Sequence, residues 1–138
     1  MNGEEIFERL RPLIVEVTGR KPEEVRLESI LVEDLGAESI DLVDLSFLIE
    51  EAFGITLETN GIEKAARARI PGGVFEKDGL LTDPALEEMR RLLPEVEPAR
   101  LVPGLRKADL PTLLPVSVFV RLVLQKLEEK AGEAPCRT

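Results

Sequence analysis

Residues 39–53 set Leu42, Leu45, Ile49 and Phe53 three or four positions apart, with Val43 and Phe47 at the edge of that stripe and Asp41, Asp44, Glu50 and Glu51 on the remaining positions. Only a helix brings residues so spaced onto one side, and that side must be buried against another element. Ser39 suits the N-cap of this helix and Gly54 its stop, with Ile55-Thr56-Leu57 leaving extended.

Two other segments share the period. Ile6, Phe7, Leu10, Leu13, Ile14 and Val17 predict a helix from Glu4 to Thr18, capped by Asn2, ended by Gly19 and bent at Pro12. Val116, Phe119, Val120, Val123 and Leu127 predict a last helix from Pro115 to Lys130, with Gly132 as its stop. Residues 20–38 read as a long irregular connection with one short turn at Lys21-Pro22-Glu23-Glu24. Its Val25, Leu27, Ile30, Leu31, Val32 and Leu35 are too apolar for a free linker. Between Glu58 and Pro111 the chain is charge-balanced and broken by prolines. Within it Ile62 to Ile70 reads as a short basic helix, and Thr82-Asp83-Pro84 as the start of another that runs through Ala85 to Leu93. The fold class expected is therefore all-α. The 138 residues fit one domain, with core residues 1–57 and 112–132, an insertion at about 58–111 and a flexible tail at 133–138.

Composition removes several chemistries. There is no His, which excludes the Ser-His triad and the commonest metal ligand. The single Cys, Cys136, permits no internal disulfide and reads as a free thiol in the tail. No stretch is apolar and long enough to span a bilayer and the first residues do not form a signal peptide, so a soluble, cytoplasmic protein is expected. Of the 27 acidic residues ten lie between Leu27 and Glu63, where there is no Lys or Arg, while the remaining 17 are matched by 18 basic residues elsewhere. So concentrated a negative field argues against nucleic acid and for docking on basic protein surfaces.

Ser39 lies at the centre of that field, after the turn Asp34-Leu35-Gly36-Ala37-Glu38. A phosphodiester on its oxygen would meet the unpaired amides and positive end of the helix, worth ~0.3–1 kcal/mol when exposed. On position alone a plain N-cap is the commoner use of such a serine. The carboxylates Glu33, Asp34, Glu38 and Asp41 have nothing to fix them as metal ligands, and they read as a solvated face.

The surrounding pattern carries more. Gly-x-Lys-x-Glu-Glu-Val over residues 19–25, then Val32-Glu33-Asp34-Leu35-Gly36-Ala37-Glu38-Ser39, then an acidic helix ending Glu50-Glu51-Ala52-Phe53-Gly54, closely resembles the acyl carrier protein family. The first and last helices resemble it more loosely. The resemblance implies an antiparallel helical bundle of carrier type in which Ser39 bears covalent 4′-phosphopantetheine, taken from coenzyme A by a phosphopantetheinyl transferase. Acyl intermediates of fatty acid, lipid or polyketide synthesis would ride on its thiol as thioesters. It also implies no catalytic residue of the chain's own and no metal, and a monomer that visits acyl-chain synthases and transferases through basic docking surfaces. Glu38, Ile40, Asp41, Asp44, Phe47 and Glu50 match the family's recognition positions, and Leu45, Ile49 and Phe53 its acyl cleft.

Two departures stand out. Glu38 and Ile40 flank the serine where Asp and Leu are usual in the family. Some 45–50 residues are inserted before the last helix, where the family has a short loop and a small helix. This helical insertion is expected to pack on the bundle, and either to enlarge the acyl enclosure or dock a dedicated synthase, or to act as a lid without selectivity. A peptidyl or aminoacyl carrier, which favours Gly-Gly and fewer acids around the serine, and an unmodified interaction module of carrier shape are the rivals.

Overall fold

A computed structural model describes residues 2–57 and 61–133, with the side chains of 61 and 131–133 excepted. Cys136, Glu58 and residues 134–138 of the expected tail lie outside the described residues. The chain divides into two compact units, residues 1–57 with 115–138, and residues 58–114.

In the first unit, α1 (Gly3–Thr18), α2 (Ser39–Phe53) and α5 (Val116–Glu133) pack against one another. A capping box starts α1: Asn2 Oδ1 accepts from the Glu5 N–H at 2.9 Å and Glu5 Oε1 from the Asn2 N–H at 3.1 Å. The helix is continuous through Pro12, so the missing donor there does not end it. Ile6, Leu10 and Ile14 from α1, Leu45, Ile49 and Phe53 from α2, and Val116, Phe119, Val120 and Val123 from α5 are buried. The core is mostly aliphatic, with Phe53 and Phe119 among its buried side chains, and Leu42 is only half-buried. Gly132 does not stop the last helix, which runs to Glu133; a glycine there is tolerated once the preceding turns are packed.

The connection from 19 to 38 folds over this core. After one 3-10 turn at Pro22–Glu24 it buries Val25, Leu31, Leu35 and Ala37. It is also bonded to the start of α5: the N–H groups of Val116 and Ser117 donate to the carbonyls of Ser29 and Leu27 at 2.8 and 2.9 Å. These bonds satisfy donors that a helix start otherwise leaves open. Two cations close the far end of α2, Arg9 Nη2 on the Ala52 carbonyl at 2.7 Å and Lys130 Nζ on the Gly54 carbonyl at 2.8 Å.

The second unit has its own core, built on Phe75, Leu86, Met89, Leu93 and Leu101. It contains α3 (Gly61–Arg69) and α4 (Asp83–Leu92), the latter capped by Thr82 Oγ1 accepting from the Ala85 N–H at 3.3 Å. Between them is a hairpin of β1 (Glu76–Lys77) and β2 (Leu80–Leu81), which the helical expectation missed. Its signal was Asp78-Gly79, whose φ values of 55° and 82° supply the two left-handed residues of a tight hairpin turn. An ionic cluster ties the hairpin to α3: Lys107 Nζ lies 2.7 Å from Glu63 and 3.4 Å from Glu76, and Arg67 Nε lies 3.0 Å from Glu63.

Candidate functional site: the start of α2

The segment leading to Ser39 is pinned at successive residues. Asp34 Oδ2 accepts from the Ile30 N–H at 2.8 Å, the Asp34 N–H donates back to the Ile30 carbonyl at 2.8 Å, and the Ala37 N–H donates to the Leu31 carbonyl at 2.9 Å. Leu35 and Ala37 turn inward, and Gly36 between them has φ 72°, a left-handed conformation that glycine adopts without strain. Asp34 is thus a local staple of the loop. Among the described residues no three Asp, Glu, Cys or His side chains converge as a metal site would require.

One expectation is corrected here. Glu38, not Ser39, is the N-cap: it is extended (φ −101°, ψ 170°) and its carbonyl accepts the first helical bond, from Leu42 N–H at 3.1 Å. The reason is Asp41, whose Oδ2 accepts from the Glu38 N–H at 2.9 Å and so marks Glu38 as the cap. Ser39 becomes the first helical residue, exposed, and its hydroxyl is not the group that closes the turn. That leaves the oxygen available for chemistry beside the opening amides of the helix. A phosphodiester fits this place: the serine is open to solvent, and the dipole end and its amides favour an anion.

Helix α2 shows two apolar stripes rather than one. Leu45, Ile49 and Phe53 face the core, whereas Ile40 (65% exposed), Val43 (47%) and Phe47 (65%) lie outward. The outward set falls at i, i+3 and i+7, a helical stripe in its own right. Val43 belongs to it, although the sequence placed that residue at the edge of the core stripe; a second count of the same period would have found it. Glu38 and Asp44 are exposed beside these residues and Asp41 is half-exposed. Glu50 is placed differently. It is half-buried, and its Oε2 accepts from the Leu57 N–H at 2.7 Å, fastening the segment after α2.

The family model described as "Phosphopantetheine attachment site" matches residues 8–62. An acyl carrier protein of Campylobacter hominis is 42% identical over 60 residues, covering 44% of this chain and 76% of that protein. The acyl carrier protein of Campylobacter concisus is 36% identical over 74 residues, covering 54% of this chain and 96% of its own. That of Wolinella succinogenes is 44% identical over 61 residues, 44% of this chain and 80% of the relative. No solved structure matches. With a phosphopantetheine attachment region and relatives matched over most of their own length, the chain belongs to the acyl carrier protein family and carries acyl groups on covalent 4′-phosphopantetheine.

Proposed function

We propose that Ser39 is the attachment residue and that the outward stripe of α2 is the surface its partner enzymes grip. In the loading step the Ser39 oxygen forms a bond to the phosphorus of coenzyme A that bears the pantetheine. The pyrophosphate bond breaks, adenosine 3′,5′-bisphosphate leaves, and the serine proton passes to a base on the transferase. With no His in the chain, the commonest general base is absent from it, and the transferase supplies the base in this reading. The arm, once attached, supplies a thiol that holds acyl groups as thioesters. The observation that carries the reading is the exposed hydroxyl of Ser39 at the first position of α2, freed from capping by the Glu38–Asp41 pair.

Docking follows from the same helix. Ile40, Val43 and Phe47 offer apolar contact and Glu38, Asp41 and Asp44 offer negative charge, which suits a basic surface with an apolar centre on a phosphopantetheinyl transferase or acyl-chain synthase. Charge-steered contacts of this size form and break quickly, as a shuttle in fatty acid, lipid or polyketide synthesis requires. Leu45, Ile49 and Phe53 would line the space that an acyl chain opens, each buried methylene contributing up to ~0.8 kcal/mol less the cost of parting the helices. The test is intact-mass measurement after incubation with coenzyme A and a broad-specificity transferase. The protein should gain one phosphopantetheinyl group and Ser39→Ala none; addition to the Ala variant, or none to the wild type, refutes the assignment.

A further inference from the structure

The turn before Ser39 is held from outside by one cation. Gly19 closes α1 in the left-handed conformation (φ 72°), its N–H on the Val15 carbonyl at 2.8 Å. The next residue, Arg20, is fixed at its root: its N–H donates to Thr18 Oγ1 at 3.3 Å, and that hydroxyl donates to the Ile14 carbonyl at 2.7 Å. From there the side chain spans a sequence separation of 15 residues, and Nε donates to the Leu35 carbonyl at 3.1 Å. Nη2 lies against Gly36, where an added Cβ would come within 3.2 Å of it.

We propose that Arg20 is a positioning residue for phosphopantetheine transfer: by holding the Leu35 carbonyl it fixes the Gly36 turn, and with it the point at which α2 begins and the direction of the Ser39 hydroxyl. The inference rests on the assignment of Ser39 made above. The operative contact is the carbonyl bond. The pairing of Arg20 with Glu24 is long, 3.7 Å, and both side chains are 40% or more exposed, so it adds little. A hydrogen bond from a charged donor is stronger than a neutral one, and here it secures an oxygen next to a residue of positive φ. On its other side the Ala37 N–H is tied to Leu31, so the loop is fixed from both flanks. Transfer requires the serine oxygen in line with the breaking bond, and small misplacements there are costly.

The test compares the full-length wild type with Arg20→Met, which keeps the stem without the donor, and Arg20→Lys, which restores a donor. With saturating coenzyme A, Arg20→Met should lower kcat of transfer about fivefold with KM for the carrier within about twofold, because the docking stripe is untouched. Arg20→Lys should recover at least half of the lost rate. Amide exchange should quicken at Ala37 and stay slow at Leu45, which separates a loosened loop from an unfolded helix. An unchanged kcat in Arg20→Met, a change confined to KM, or loss of protection throughout α2 each overturns the inference. A wild type that accepts no arm removes the Ser39 assignment and this inference together; a modified wild type with an unaffected Met variant removes this inference alone.

Discussion

The two stripes of α2 make opposite demands on mutation, and Phe47→Ala exposes the difference. Phe47 is 65% exposed, so folding buries only about a third of its side chain. Full burial of Phe is worth about 1.5–3 kcal/mol, so that fraction contributes about 0.5–1 kcal/mol. Alanine returns up to ~0.5 kcal/mol through its higher helix propensity. The net loss is then below ~1 kcal/mol, which for a unit of this size lowers Tm by no more than about 8 °C. Ile49→Ala, at a fully buried site, should cost about 2–5 kcal/mol and lower Tm by more than about 10 °C. The order reverses in partner binding. An aromatic anchor at the centre of a small interface is worth more than about 1 kcal/mol, so Phe47→Ala should raise the KM of the transferase for the carrier at least about fivefold. Thermal unfolding by circular dichroism and steady-state transfer kinetics on the same samples provide both numbers. A Tm drop above about 10 °C in Phe47→Ala, or a KM within about twofold of wild type, would refute the division of α2 into a core face and a docking face.

Two further outcomes follow from the geometry. Gly36→Ala forces a left-handed alanine and sets its Cβ 3.2 Å from Arg20 Nη2, so it should cost about 1–2 kcal/mol in thermal stability and slow loading of Ser39; unchanged melting and loading would show the turn to be permissive. In the second unit a hydrogen bond from Lys107, opposed by burial and aided by Arg67 and the charges of both, holds Glu63 below the ordinary carboxylate range. A depressed acid stabilises above its unfolded pKa, about 4.3, and that contribution is lost as pH falls through the lower folded value. The exchange protection of α3 should therefore weaken below about pH 4, and Glu63→Gln should weaken it already at pH 7 and flatten this part of the pH dependence. A variant as well protected as wild type at pH 7 would show that the cluster does not hold the hairpin to α3.

Much of this protein was written locally. The helices around Leu10, Ile49 and Phe119 follow from apolar residues at a period of 3.6, and stretches that long bury one face whatever they pack against. The acidic segment, the Asp-Leu-Gly-Ala-Glu-Ser run and the absence of His are equally facts of the chain, and they carried the prosthetic group and the family. The hairpin at Asp78-Gly79 was legible too, but its strands are two residues each, too short to show alternation.

The tertiary structure decided what depends on distant partners. Whether Glu38 or Ser39 caps α2 turned on where the Asp41 carboxylate points, and either residue is acceptable by propensity. Ile40, Val43 and Phe47 are as apolar as Leu45 and Ile49. Only the packing of α1 and α5 on one side of the helix determines which set is left in water. The bond from the Leu57 N–H to Glu50 depended on where the segment after α2 came to lie, and Arg20 had no evident role until the end of α1 was placed beside Leu35. Periodicity reports which way a side chain faces along its own helix; it carries no information about which carbonyl, many residues away, that side chain will meet.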